Sequence, residues 1–371
     1  MKFQTYVLFF ILFGLAPDLY LGLATGWEMV WKVLVCIPTV AALVSLVFIG
    51  LGRHYTEALR VFSYLIFLFE LPKFVGMLLS PLGMVAGGVA AAAVALFFAT
   101  LIFYSSRHLK VNTQTLSFKD LPEAFGGLKL CQLSDLHLGS FGRKAKYVQR
   151  VVDATLAQQP DLILFTGDLV NFASEEALPY KEQLSRLNAP MGIWAVRGNH
   201  DYLLHGCFSE KEREKDTQRL LRFEQEDLGW HVLQDQNILL SKDGESIALA
   251  GVGNISTSPY FQKMGGNLKK ATEGIPEGVF TILLSHDPSH WRAQVVPESQ
   301  IHLTLSGHTH GLKYKLAGLH PSHWRLHENA GLYFAGEQIL HVSEGLGSAF
   351  AFRLGGFPKI DIITLNNTKT P

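Results

Sequence analysis

A chain of 371 residues is too long for one ordinary hydrophobic core and long enough for a membrane part plus one large soluble domain. Lys and Arg number 32 and so do Asp and Glu, so the formal net charge is zero and the basic excess of a nucleic-acid binder is missing. That balance hides an asymmetry: Met1 to Tyr104 is almost continuously apolar, whereas everything beyond Arg107 reads as soluble protein.

Three apolar runs, about Met29–Gly50, Leu59–Leu79 and Leu82–Tyr104, can each cross about 30 Å of hydrocarbon at about 1.5 Å per residue. A fourth, Tyr6–Ala24, is interrupted by Pro17-Asp18 and reads as a kinked span or an uncleaved signal-like segment, because Lys2 alone makes a weak positive region. Three to four helices over residues 1–106 are therefore expected as a transmembrane anchor. Arg53 and Arg60 flank one loop, and Arg107 and Lys110 follow the last run. This basic bias assigns those loops, and the soluble part, to the cytoplasmic side. Glu70 and Lys73 fall near the middle of a run, beside Pro72. Ionisable residues at that depth are functional candidates by default, and a mutual i,i+3 pair facing the bundle is the simpler account. Gly83, Gly87 and Gly88 present small residues on one face, which suits close helix packing.

Residues 107–127, with Pro122 and Gly126-Gly127, read as a linker, and 128–371 as the soluble domain. There a short apolar run repeatedly ends in a polar cluster. The runs are Leu128–Leu133, Asp161–Phe165, Gly192–Val196, Val279–Leu284 and Ile301–Leu305, short and partly β-branched as buried strands are. Between the first two, Lys144–Gln159 carries Val148, Val151, Val152, Thr155 and Leu156 at helical spacing. The alternation predicts an α/β domain whose ligands gather at the C-terminal ends of strands. Glu210–Leu228 is a charged helix opened by a Ser209/Glu212 capping box, expected to be a solvated surface helix, with a lid or membrane-facing role as the alternative. The tail Leu332–Leu365 is strand-like through Leu340, Val342, Ile360, Ile362 and Ile363. Cys36, Cys131 and Cys207 have no ligand spacing and read as free thiols of a reducing compartment.

The five strand ends carry the chemistry. They deliver Ser134-Asp135-Leu136-His137, Thr166-Gly167-Asp168, Gly198-Asn199-His200-Asp201, Ser285-His286-Asp287 and Gly307-His308-Thr309-His310. Singly each motif is weak, since a lone His after a strand is more often a hydrogen-bonded structural residue. Together, in order and each after an apolar run, they are not coincidence. Carboxylate, imidazole and amide groups without thiolate suit Mn²⁺, Fe or Zn²⁺. Two divalent ions a few Å apart lower the pKa of a shared water and hold the attacking and leaving oxygens of a phosphate.

The series D-x-H, G-D, G-N-H-[DE], H and G-H-x-H resembles that of the calcineurin-like metallophosphoesterase superfamily, over roughly Leu128 to Leu365. The resemblance implies a four-layer αββα sandwich, here preceded by a transmembrane helical bundle. It implies two divalent metal ions, Mn²⁺ first with Fe and Zn²⁺ as alternatives. Asp135, His137 and His310 would hold one ion, Asn199, His286 and His308 the other, and Asp168 would bridge them. His200 would stabilise the phosphate and protonate the leaving oxygen, held in orientation by Asp201. Gly331-Leu332-Tyr333, Val342-Ser343-Glu344-Gly345-Leu346-Gly347 and Phe357-Pro358-Lys359-Ile360 are similar to the tail of bacterial membrane-associated members. That branch includes phosphodiesterases and a pyrophosphatase acting on UDP-2,3-diacylglucosamine. A multi-pass protein of a bacterial inner membrane is the implied location.

Outside the motifs, His302, His320, His323 and His327 read as structural or rim residues, with Trp324 and Arg325 able to contact a substrate head group. Asp287 reads as a partner of a ligand. Hydrolysis of a phosphoester or pyrophosphate bond is thus expected, on a lipid-linked substrate beside the bilayer. A soluble nucleotide or phosphoprotein is the alternative substrate, and a non-catalytic receptor with a retained metal site the alternative class.

Overall fold

The computed structural model describes residues 3–24, 26, 28–52, 54–104, 108–142, 145–204, 208–258, 265–310, 327–348 and 357–368. Cys207, His320, His323, Trp324 and Arg325, together with the orienting Arg53 and Arg107, lie outside them. The chain divides into two units, one of amino-terminal helices and one that begins with the first strand.

Four helices make the first unit: α1 (Phe3–Leu23), α2 (Met29–Gly50), α3 (Tyr55–Leu82) and α4 (Met84–Phe103). Each is long and apolar enough to cross a membrane, including the interrupted first run. Leu19, Val33, Val40, Val85 and Leu96 are exposed, the outward apolar surface that hydrocarbon tolerates and water does not. Lys73 Nζ lies 2.6 Å from Glu70 Oε2, the expected i,i+3 pair. The pair has partners that were not foreseen: Lys73 also reaches Asp18 Oδ1 at 2.7 Å and Thr39 Oγ1 at 2.8 Å. Thr39 in turn donates to Glu70 at 3.2 Å, so one ammonium ties three helices. Widened π-turns at Ile11–Leu15 and Ile66–Glu70 sit just before Pro17 and Pro72, whose missing N–H breaks the regular ladder. Of the three small residues expected at a helix contact only Gly87 is close-packed, against the Gly76 carbonyl. A Cβ on Gly83 or Gly88 would meet nothing within 4 Å.

Two six-stranded mixed sheets make the second unit. The strands are β1 (Lys110–Phe118), β2 (Leu128–Leu133), β3 (Leu162–Phe165), β4 (Ile193–Ala195), β5 (His231–Val232), β6 (Gln236–Lys242), β7 (Glu245–Gly251), β8 (Thr281–Leu284), β9 (Leu303–Ser306), β10 (Gly331–Ala335), β11 (Gln338–Val342) and β12 (Lys359–Asn367). One sheet runs β1-β12-β2-β3-β4-β5, the other β10-β11-β9-β8-β7-β6. Leu130, Leu162 and Leu164 of the first meet Leu249, Ile282, Leu303 and Leu305 of the second in one core. Helix α5 (Ala145–Leu156) covers the outer face of the first sheet with Val148, Val151 and Val152. Trp291 and Val295 cover the second against Leu283 and Leu340. These are the four layers expected. All five predicted runs are strands within a residue or two of their expected ends.

The linker reading over 107–127 is corrected. Its residues from Lys110 to Phe118 form β1, which pairs in parallel with β12 along its whole length. Leu116 and Phe118 point into the shared core. The partner strand lies 249 residues further along the chain, so nothing local announces the pairing.

Candidate metal centre

Leu128–Leu133, Leu162–Phe165, Thr281–Leu284 and Leu303–Ser306 lie side by side in parallel pairs within their sheets, and their C-terminal ends open at the same edge. The chain leaves that edge abruptly. Asp135, His137, Asp168, His308 and His310 all adopt left-handed backbone, with φ between 49° and 68°. Such a conformation costs a non-glycine residue roughly 1–2 kcal/mol, and five of them in one place mark a site held under strain by the fold around it. Close packing enforces it: a Cβ on Gly198 would collide with Asp168 Oδ1, and one on Gly307 with Ser134 Oγ and Asp135 Oδ2.

The side chains converge. Asp135, His137 and His310 form one cluster, Asp168, His286 and His308 another, and His137, Asp168 and His200 a third, each with its ligand atoms within 4.8 Å of one another. Asp168 belongs to the second and third clusters, and His137 to the first and third. Its Oδ2 is 3.6 Å from His137 Nε2 and 3.2 Å from His286 Nε2. His310 Nε2 is 3.5 Å from Asp135 Oδ1 and 3.2 Å from His137 Nε2. Two imidazole nitrogens facing each other beside two carboxylates, all buried or nearly so, form a donor set that could hold a metal ion, and thiol is absent from it. The donors therefore fit divalent ions. Asn199 is buried in the tight turn Asn199–Tyr202 beside them.

Partners orient the rings. The Thr166 carbonyl accepts from His286 Nδ1 at 2.7 Å, which turns Nε2 toward Asp168, as a ligating histidine requires. His308 donates its backbone N–H to both oxygens of Asp135 at 3.1 Å, and its Nε2 lies 3.7 Å from Asp287. Burial opposes the charge on Asp168, but His286, His200 and His137 around it hold its pKa well below the usual carboxylate range. Burial also opposes a charge on His286, yet Asp168 and Asp135 pull its pKa up to about 10. Burial, with Asp168 adding, pushes Asp135 up. Positive charge is what this pocket demands.

The expectation that Asp201 orients the His200 ring is corrected. Asp201 accepts backbone N–H groups from Gly198, Asp168, Leu169 and Val170 at 2.7–3.3 Å and so fixes two ligand-bearing loops together. Burial and Asp168 raise its pKa to about 6. The ring of His200 is held instead by the Asn171 carbonyl, 2.7 Å from Nδ1. A carbonyl only accepts, so Nδ1 carries a hydrogen and chemistry falls to Nε2. Burial lowers the His200 pKa, opposed by Asp168 and that carbonyl. Sequence reasoning missed Asn171 because its contribution is a main-chain oxygen, which leaves no signature in residue type.

Of the remaining histidines, His302 and His327 lie in the described residues. His302 accepts from Thr281 N–H at 3.1 Å and packs on Phe280, and His327 is exposed. Among the cysteines, Cys36 and Cys131 are free thiols.

With this geometry in place, comparison with known proteins is decisive: residues 128–312 match the calcineurin-like phosphoesterase family. The chain carries a calcineurin-like metallophosphoesterase domain. It resembles an uncharacterized metallophosphoesterase of Bacillus subtilis, YkuE, at 27% identity over 71% of this chain and 88% of that protein. It is similar to the UDP-2,3-diacylglucosamine pyrophosphatase LpxG of Chlamydia muridarum, at 24% identity over 70% of this chain and 91% of that one. A transmembrane protein with metallophosphoesterase domain from Bos taurus is 30% identical over 54% of this chain and 44% of its own length. The metallophosphoesterase is thus a metal-dependent hydrolase of phosphoester bonds, and its family implies a dinuclear divalent centre.

Proposed function

We propose that this metallophosphoesterase cleaves a phosphodiester or pyrophosphate bond in a lipid-linked substrate at the cytoplasmic face of a bacterial inner membrane. The observation that carries the reading is one chain joining a catalytic centre of this family to four helices of membrane-crossing length. Such a tether confines turnover to a layer a few nanometres deep, where amphiphilic substrates are concentrated. Similarity to LpxG supports a nucleotide-sugar lipid as the first substrate to try. Arg60 near the start of α3 and Lys110 soon after the end of α4 support the cytoplasmic side.

We assign Asp135, His137 and His310 to one ion, Asn199, His286 and His308 to the other, and Asp168 to both, with Mn²⁺ the ion to test first. Bound there, the ions supply positive charge for the phosphate and acidify a water as nucleophile. The chain's own residues do the rest. Asp168 balances charge between the two clusters, Asp287 adds negative charge 3.7 Å from His308 Nε2, and the Thr166 carbonyl behind His286 keeps that ring in ligating orientation. His200, fixed through Nδ1, holds a proton on Nε2 when charged and delivers it to the leaving oxygen.

The full chain, purified in detergent, should be assayed with Mn²⁺ and with chelator on UDP-2,3-diacylglucosamine and on bis-p-nitrophenyl phosphate. Metal-dependent cleavage strongly favouring the lipid supports the proposal. Cleavage of the generic diester alone retains the chemistry and rejects this lipid.

A further inference from the structure

The charged helix α6 (Glu210–Arg222) has the composition of a solvated element, yet it is fastened to both loops that meet at His200. We propose that α6 is a brace that sets the orientation of His200, with Asp216 as the positioning residue through which it acts. This inference rests on the acid role given to His200 above.

Three hydrogen-bonded links lead from the helix to the ring. Asp216 accepts both the N–H and the hydroxyl of buried Ser174, at 2.9 and 2.5 Å. Ser174 opens the short turn Ser174–Glu176, and Glu176 takes the N–H groups of Asn171 and Phe172 at 2.6 and 3.2 Å. The Asn171 carbonyl then accepts from His200 Nδ1 at 2.7 Å. The loop that carries the His200 main chain is tied to the same turn of α6. Arg197, only 2% exposed, donates from Nη2 to the Thr217 carbonyl at 2.8 Å and from Nε to the fully buried Glu224 at 3.4 Å. Adjacent residues Asp216 and Thr217 therefore grip the two loops that fix the ring and the backbone of His200.

The physical case is one of freedom removed. The 168–176 loop is irregular backbone, and without an outside anchor its carbonyl at Asn171 would sample a range of positions. Proton transfer is steep in distance and angle, so a loosened ring loses rate while the metal ligands stay in place. A buried arginine on a helix carbonyl and a buried serine on a helix carboxylate are contacts that define position, since each leaves a polar group stranded if the helix moves. Surface pairs such as Arg219–Glu175, with both side chains exposed, add little.

A proton from His200 matters most when the leaving oxygen is basic, and this gives a readout that general loosening would not reproduce. The full chain with Mn²⁺ would be assayed on an alkyl phosphodiester and on a p-nitrophenyl phosphodiester, with bound Mn²⁺ measured in parallel. For Asp216→Ala we expect kcat on the alkyl ester to fall about tenfold, a part of the roughly 10²–10⁴-fold worth of a positioned acid. KM, bound Mn²⁺ and the p-nitrophenyl rate should stay within about twofold. Asp216→Asn, which retains an acceptor for Ser174, should recover most of the alkyl rate, and serves as the readable variant if Asp216→Ala folds poorly. His200→Ala is the reference, with a larger split between the two esters. Equal losses on both esters, or no loss on the alkyl ester while His200→Ala still separates them, overturn the brace alone. No split in His200→Ala overturns the acid assignment and the brace together.

Discussion

Asp168 is the residue on which the centre turns, because its Oδ2 faces His137 of one outer cluster at 3.6 Å and His286 of the other at 3.2 Å. Asp168→Ala should abolish activity and most metal binding, read by turnover and by metal content after gel filtration. His200→Ala should keep both metals and lose roughly 10²–10⁴-fold in kcat; loss of the metals instead would make it a ligand. A third residue ties stability to pH. His290 is buried between Ser285 Oγ at 2.8 Å and Gln294 Oε1 at 3.0 Å, and burial lowers its pKa to about 4. The unfolded chain takes up a proton near pH 6.5 and the folded one only near 4, so stability is present above 6.5 and lost as pH falls through that window. Relative to His290→Gln, the parent should lose about 3 kcal/mol between pH 7 and pH 4, at about 1.4 kcal/mol per unit. Denaturant unfolding in detergent, followed through the neighbouring buried Trp291, measures it.

At the level of elements, the strands that feed the centre were legible because each is a short apolar run cut off by a polar cluster. Strands β1, β5, β6 and β7 were not. β1 alternates half-exposed polar residues with a few apolar ones and pairs with a strand at the far end of the sequence, while β5 is only two residues long. The residues that meet at the centre could be named by type. The strained backbone there and the main-chain partners, Asn171 behind His200 and Thr166 behind His286, could not, since neither depends on side-chain identity. The same limit applied to the helices. Glu70 and Lys73 could be paired from their spacing, but Asp18 and Thr39 come from other helices and are joined only by packing. Lys73→Leu strands two carboxylates in apolar surroundings and should destabilise the helical unit by about 3–5 kcal/mol, whereas the triple change Asp18→Leu, Glu70→Leu, Lys73→Leu should restore most of it. Thermal unfolding in one detergent, compared across the three proteins, decides between them.

For the molecule as a whole, charge neutrality and mixed composition concealed two units of opposite solvent preference, and only the distribution along the chain separated them. The sheet that carries Asp135 and Asp168 has β12 as its second strand, between β1 and β2. A chain cut after Pro358 keeps all seven assigned ligands and loses both pairings of that strand. It should retain its membrane helices and show neither Mn²⁺-dependent turnover nor protease resistance in the soluble unit, with limited proteolysis and assay of the truncated protein as the check.

That strand order also sets a timetable for biosynthesis. The hydrophobic helices leave the ribosome first and can enter the bilayer early, while β1 emerges next and then waits for its neighbour until some 250 residues more have been made. Through that interval β1 and β2 present open edges, the form of exposed backbone most prone to wrong pairing. A nascent chain is thus delivered to its membrane before it can be an enzyme, and hydrolysis begins only once translation has run past Asn367 and the last strand slides between the first two.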